Sequence, residues 1–311
     1  MIRGATALAR AFQVPPVVIG LTVVAFGTSA PELVVNSTAA WSGQTQLAFG
    51  NIVGSCAINL GWVLAITALV RPIKVERSII SREIPMMLLA TASFFVLAAD
   101  RFLDHAPLDI LARGDGVILL LLFSVFLYYT ISNVLLSPKK VRDTDPLVVE
   151  LKENLERRRE LSKTASLALT VGGLIALLAG GRLTVYAAIH VATSLGMPDF
   201  LIGLTIISFG TTLPELITGI LATRRGEGDI AIGNVVGSNI FNLLFIGGLV
   251  ALLHPIEVPP GGLADLLMLT FLSALVLPIA IRADRTVTRS EGAFLLLLYL
   301  SYLTWRVVHA S

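Results

Sequence analysis

The chain has 311 residues, of which 55% are hydrophobic and only 14% charged, and its mean hydropathy is +0.83. That is too apolar for a soluble globular domain, where about a quarter of residues carry charge. The net charge of +2 is small and the basic residues lie at span ends, so the charge gives no sign of nucleic acid and no nucleic-acid partner is expected; the single cysteine, Cys56, excludes an internal disulfide. No short charged start with a following apolar stretch and small-residue cleavage site opens the chain, so no cleavable signal peptide is expected.

Apolar windows close to 20 residues long, the length that crosses a bilayer, predict nine spans in chain order. They are 15–40, 47–70, 79–99, 115–136, 164–184, 198–223, 229–253, 262–281 and 290–309. All must be helical, because lipid offers no partner to an open backbone group. Residues 137–163 form the one long polar connection; their L-K-E-N-L-E-R-R-R-E-L stretch reads as a solvated surface helix. The chain therefore divides into a first half over 1–136, a loop over 137–163 and a second half over 164–311. With that loop placed in the cytoplasm, 19 of the 23 Lys and Arg residues fall inside, as the positive-inside rule requires. Trp41, Trp62, Tyr302 and Trp305 are expected at the interfaces. The histidines, His105, His190, His254 and His309, are expected at span ends. Asp100, Asp104, Asp109 and Asp115 are expected as solvated acids of an external loop.

The two halves repeat one pattern. G-L-T-V-V-A-F-G-T-S-A-P-E-L from Gly20 returns as G-L-T-I-I-S-F-G-T-T-L-P-E-L from Gly203, at an offset of 183. The register holds from Gly20 to Asn59, and 18 of those 40 aligned positions are identical. Span 15–40 runs outward and its copy at 198–223 runs inward, so the repeats are inverted. Inverted repeats in a membrane protein point to a transporter with its site at the midplane.

Glu32 and Glu215 are the carboxylates placed deep in spans. A charge there costs about 2.5–3.5 kcal/mol on insertion scales, which makes such an acid a functional residue by default. Each follows a proline, Pro31 or Pro214, which lacks an N–H and should bend or open the helix. Thr28 and Ser29 share a face with Glu32, as Thr211 and Thr212 do with Glu215. The next spans carry G-N-I-V-G-S-C-A-I-N and G-N-V-V-G-S-N-I-F-N, which put Ser55 with Asn59, and Ser238 with Asn242, four residues apart on one face. Cys56 turns from the Asn59 side and reads as a small apolar filler. The pooled donors are carboxylate, amide, hydroxyl and carbonyl oxygens, a hard set that suits Ca²⁺ or Na⁺ better than Mg²⁺, zinc or copper.

At these residues the chain resembles the calcium/cation antiporter superfamily, and within it the prokaryotic Na⁺/Ca²⁺ exchangers. The G-T-[ST]-x-P-E-L and G-N-[IV]-V-G-S-x-x-x-N pairs are similar to that family's two α-repeats. The resemblance implies an all-α membrane fold of two inverted halves, with alternating access between Ca²⁺ and Na⁺ at one midplane cluster, no cofactor and no enzymatic activity. It also implies a multi-pass protein of a bacterial or archaeal cell membrane, with the lipid bilayer and the two ions as its partners. Carried over by position, it implies that Glu32 and Glu215 are the central carboxylates, with Asn59 and Asn242 as amide ligands. Thr28, Ser29, Ser55, Thr211, Thr212 and Ser238 then supply hydroxyl and carbonyl donors, and Ala25 and Ser208 lend carbonyls to sodium.

The family's usual ten helices exceed the nine expected here. Span 164–184 has no first-half counterpart, and the sequence reading places a first transmembrane helix upstream of Met1. The short 137–163 loop carries no D-x-D-x-D-G motif, so no large Ca²⁺-sensing domain is expected. A Ca²⁺/H⁺ or other cation exchanger on the same fold stays open, although the G-N-A-x-E-like motif of proton-coupled relatives is absent. A passive cation channel and an intramembrane acid–base enzyme are the remaining alternatives.

Overall fold

The computed structural model describes residues 24–103, 105, 107–136, 164–173, 175, 176, 179, 186, 202–282 and 284–309. The expectation of an additional first helix rests on residues 1–23 and falls outside them, as does the loop 137–163.

The first described element is a helix in two pieces, α1 (Ala25–Thr28) and α2 (Ala30–Trp41), parted at Ser29. Helix α3 (Thr45–Val70) follows, then strand β1 (Ile73–Lys74), α4 (Ile79–Leu97), a short α5 (Asp100–Leu103), strand β2 (Ile110–Leu111) and α6 (Arg113–Leu136). The second half contributes α7 (Thr164–Gly173), a second two-piece helix made of α8 (Thr205–Thr211) and α9 (Leu213–Arg224), and α10 (Gly228–Leu253). Strand β3 (Ile256–Glu257), α11 (Gly262–Ile281), strand β4 (Thr286–Val287) and α12 (Arg289–Val308) complete it. Six described helices are long and apolar enough to cross a membrane, and the α8–α9 pair makes a seventh span bent by 43°. Their bounds lie within about two residues of the expected spans, apart from the broken helix.

Both breaks follow from proline. Pro31 and Pro214 have no N–H to give the carbonyls of Gly27 and Gly210, and each becomes an early residue of the next helix piece. Ser29 (φ −84°, ψ 7°) and Thr212 (φ −85°, ψ −2°) take the same hinge conformation. Glu32 and Glu215 consequently fall in the first turn of α2 and α9, where unpaired N–H groups and the helix dipole favour negative charge.

Helices α3 and α10 form the centre: 83% of the apolar window of each is buried, against 22–44% for α4, α6, α11 and α12. Each changes to π-helix at the repeated asparagine, over Asn59–Leu64 and Phe241–Ile246, a local widening that often marks a functional position. The outer helices turn large apolar groups outward, among them Leu121, Leu267, Phe271 and Leu297, while buried Thr, Ser, Asn and Glu are set among an apolar core. An apolar exterior over a partly polar interior suits a protein whose solvent is lipid. Helices α6 and α10 touch at Gly116 and Gly248, where a Cβ on Gly116 would stand 2.7 Å from the Gly248 carbonyl oxygen.

Short strands tie the halves together outside the helices. Strand β1 of the first half pairs antiparallel with β4 of the second, and β2 with β3. Trp62, expected at an interface, is partly buried and packs edge-on against Phe209 of α8, ring centroids 5.2 Å apart. One expectation is corrected here: the loop acids are structural rather than merely solvated. Asp100 accepts from the Ile110 N–H, Asp109 from Arg101 and Asp115 from Ala112, which fastens the chain around β2; Asp104 lies outside the described residues.

Candidate functional site

The two helix breaks meet the middles of α3 and α10. Every expected site residue is within this knot and no more than 1% exposed: Ala25, Thr28, Ser29, Glu32, Ser55, Asn59, Ser208, Thr211, Thr212, Glu215, Ser238 and Asn242. Glu32 and Glu215 come from opposite halves and lie close enough to interact electrostatically. Among the described residues no group of three or more His, Cys, Asp or Glu could hold a metal, so the donors are those two carboxylates plus neutral oxygens.

The breaks organise hydroxyls and carbonyls around the carboxylates. Thr28 Oγ1 donates to the Ala25 carbonyl at 3.3 Å, and Thr211 and Thr212 donate to the Ser208 carbonyl at 3.3 and 2.6 Å. Glu215 Oε1 accepts from Ser29 Oγ of the other half at 3.1 Å and from Ser238 Oγ of its own at 3.2 Å. Around Glu32 the same pattern is looser: Thr211 and Thr212 of the other half lie beside its carboxylate, but neither oxygen is met at close hydrogen-bond geometry. Thr212, the counterpart of Ser29, spends its hydroxyl on Ser208, and Ser55, the counterpart of Ser238, donates to Asn51 Oδ1 at 3.4 Å.

Five buried side-chain oxygens of this knot have no hydrogen-bond partner: both of Glu32, Oε2 of Glu215, and Oδ1 of Asn59 and of Asn242. A buried polar atom left unpaired costs about 1–3 kcal/mol, and a carboxylate more. Five of them on the four repeated residues do not serve packing. They form a hard-oxygen set centred between the halves, with two formal negative charges.

The reading of the residues missed three asparagines. Asn51 Oδ1 accepts from Ser208 Oγ at 3.2 Å, and its Nδ2 donates to Asn36 Oδ1 at 3.1 Å; Asn234 Oδ1 accepts from Thr28 Oγ1 at 3.1 Å. Each therefore ties the central helix of one half to the broken helix of the other. Both were visible as duplicated polar residues of G-N-[IV]-V-G-S. Asn239 was not, because its counterpart is Cys56. It donates to the Cys56 carbonyl at 3.2 Å and accepts from Asn59 Nδ2 at 3.0 Å. Cys56 is buried as expected, with its thiol 3.9 Å from the Asn239 carbonyl oxygen.

Two inverted-topology halves, each donating a broken helix and a central polar helix to one buried oxygen cluster, define a membrane transporter. Comparison with known proteins narrows the class. The family described as sodium/calcium exchanger protein matches residues 1–132 and 165–308. The putative antiporter CaxA of Alkalimonas amylolytica is 36% identical, the alignment covering 97% of this chain and 91% of that protein. The sodium/calcium exchanger MaX1 of Methanosarcina acetivorans is 31% identical over 97% of this chain and 92% of its own. Among solved structures, the sodium-calcium exchanger NCX_Mj, soaked with Na⁺ and Sr²⁺, superposes with a TM-score of 0.78 at 30% identity, covering 97% of this chain and 91% of its own. The chain belongs to the sodium/calcium exchanger family; it is an antiporter-fold membrane protein and not an enzyme.

Proposed function

We propose that this protein exchanges Ca²⁺ for Na⁺ at the midplane cluster by alternating access. The observation that carries the reading is the set of five unpartnered oxygens on Glu32, Glu215, Asn59 and Asn242. Ca²⁺ takes six to eight oxygens, so these five need few additions. The hydroxyls of Thr28, Ser29, Ser55, Thr211, Thr212 and Ser238 and the carbonyls of Ala25 and Ser208 border them and complete the site for Ca²⁺ or for Na⁺.

The charge balance accounts for exchange rather than leak. Two carboxylates neutralise one Ca²⁺ or an equivalent charge of Na⁺. Without a cation the two facing carboxylates must either take up protons or bear the cost of poorly compensated burial, and the halves rearrange readily only when loaded. The hinges at Ser29 and Thr212 sit beside the carboxylates, so a bound ion bears directly on the elements that move. Sodium as the counter-ion is supported by the likeness to MaX1 and NCX_Mj, both sodium/calcium exchangers, and by the absence of the G-N-A-x-E-like motif. The loop 137–163 faces the cytoplasm of a bacterial or archaeal cell in this reading, following the distribution of Lys and Arg.

The test is Ca²⁺ uptake into proteoliposomes under an imposed Na⁺, H⁺ or K⁺ gradient. An outward Na⁺ gradient is expected to drive uptake. Uptake driven by protons alone would replace the Na⁺ reading with the Ca²⁺/H⁺ one, and gradient-independent flux would make the protein a channel.

A further inference from the structure

The repeat is broken at one position beside the site. The offset of 183 that equates Asn59 with Asn242 also equates Cys56 with Asn239. Asn239 is fully buried and bridges the halves. Its Nδ2 donates to the Cys56 backbone carbonyl at 3.2 Å, and its Oδ1 accepts from Asn59 Nδ2 at 3.0 Å. This chain of contacts has one polarity. A carbonyl only accepts, so Asn239 must turn its nitrogen toward Cys56 and its oxygen toward Asn59. Asn59 must answer with its nitrogen, and because the amide is planar its oxygen points the other way. That oxygen is one of the five without a partner.

Asn242 has no amide partner of this kind. The group facing it is the Cys56 thiol, a weak donor and weak acceptor, and neither Nδ2 nor Oδ1 of Asn242 reaches an oxygen or nitrogen partner at hydrogen-bond geometry. Of the two symmetric amides, one is held by an amide and the other rests only on a thiol.

We propose that Asn239 is a positioning residue for ion exchange: it reaches across from the second half and holds the Asn59 amide with its oxygen presented to the cation, which leaves Asn242 as the adjustable amide of an unequal pair. The inference rests on the reading above that Asn59 is a ligand. Without Asn239, the Asn59 amide is free to rotate and offer its NH₂ to a carboxylate, where it competes with the cation. The expected signature is weakened Ca²⁺ binding with the transport step intact.

Ca²⁺ uptake by the full chain in proteoliposomes tests this, read as KM and maximal rate for wild type, Asn239→Cys, Asn59→Ala and the double variant. Replacing a held ligand by a free one forfeits about one hydrogen bond, so Asn239→Cys should raise KM for Ca²⁺ about threefold to tenfold, with maximal rate within about twofold. In the double variant the Asn239→Cys effect should vanish, since there is no Asn59 amide left to hold. Additive effects, or a loss confined to maximal rate, would overturn the positioning role. If Asn59→Ala itself leaves KM unchanged, the ligand assignment of Asn59 falls instead, and the two failures are distinguishable. Cys56→Asn on the otherwise unaltered chain is a second arm that does not depend on Asn239→Cys folding. It should supply Asn242 with a partner and lower KM severalfold, whereas an unchanged or raised KM counts against the proposal.

Discussion

Glu32→Gln and Glu215→Gln are the sharpest perturbations of the proposed site, and the structure sets them apart. Each keeps the side-chain shape and removes one negative charge. At Glu32 neither carboxylate oxygen has a partner at close hydrogen-bond geometry, with only the Thr211 and Thr212 hydroxyls beside it, so the amide loses little. With no cation bound, that carboxyl must either hold a proton or stand ionised and unpaired, so the variant should be no less resistant to heat than wild type, and more resistant at alkaline pH. At Glu215, Oε1 accepts from Ser29 and Ser238. The glutamine oxygen can keep those two bonds, so part of the relief is absent because the wild-type charge was already half-solvated by hydroxyls. Cation binding should fail in both variants, because one remaining carboxylate cannot balance Ca²⁺. In wild type, Ca²⁺ at a hundred times Kd stabilises by about 2.7 kcal/mol, and this increment should disappear. The assay is thermal unfolding in detergent with and without Ca²⁺, paired with Na⁺-driven Ca²⁺ flux. Near-normal flux in either variant would refute the site, and equal changes in cation-free stability for both would refute the asymmetry argument.

Other consequences are testable in the same preparations. Lowering pH should weaken Ca²⁺ uptake, because a protonated Glu32 or Glu215 carries no charge and one lone pair fewer; a flat profile down to pH 5 would contradict this. Asn242→Asp adds a third titratable group beside the pair, so the pH dependence of uptake should steepen, and an unchanged profile would place Asn242 outside the site. Asp265, buried in α11, accepts from Tyr302 at 2.7 Å and from Arg306 Nε at 3.2 Å, and Arg306 also donates to the Pro260 carbonyl. Arg306→Met strands that carboxylate and should cost about 3–5 kcal/mol of stability, seen as reduced thermal resistance with unchanged ion selectivity. Gly116→Leu must push α6 from α10 at the Gly248 contact and should lower stability without altering apparent Ca²⁺ affinity.

The sequence by itself determined the solvent, the spans and the two halves. Lipid leaves helices no alternative, so hydropathy translated directly into α3, α4, α6, α10, α11 and α12, and proline chemistry located the breaks before Glu32 and Glu215. Duplication exposed the site, because a packing role alone does not explain the same P-E and G-S-x-x-x-N twice. It could expose only what is duplicated. Asn51 and Asn234 were within its reach, whereas Asn239 was hidden behind Cys56. The tertiary structure alone decided which partners each polar group took. Thr212 turns to the Ser208 carbonyl while Ser29 turns to Glu215, so equal motifs yield unequal carboxylates. Trp62 meets Phe209 of the other half, a contact that neither repeat shows alone. Asp265, in the first turn of α11, is buried and paired with Arg306, forty-one residues away. Periodicity and repeats are properties of the chain taken singly; a hydrogen bond between halves depends on the distance between two helices, which one helix's sequence does not encode.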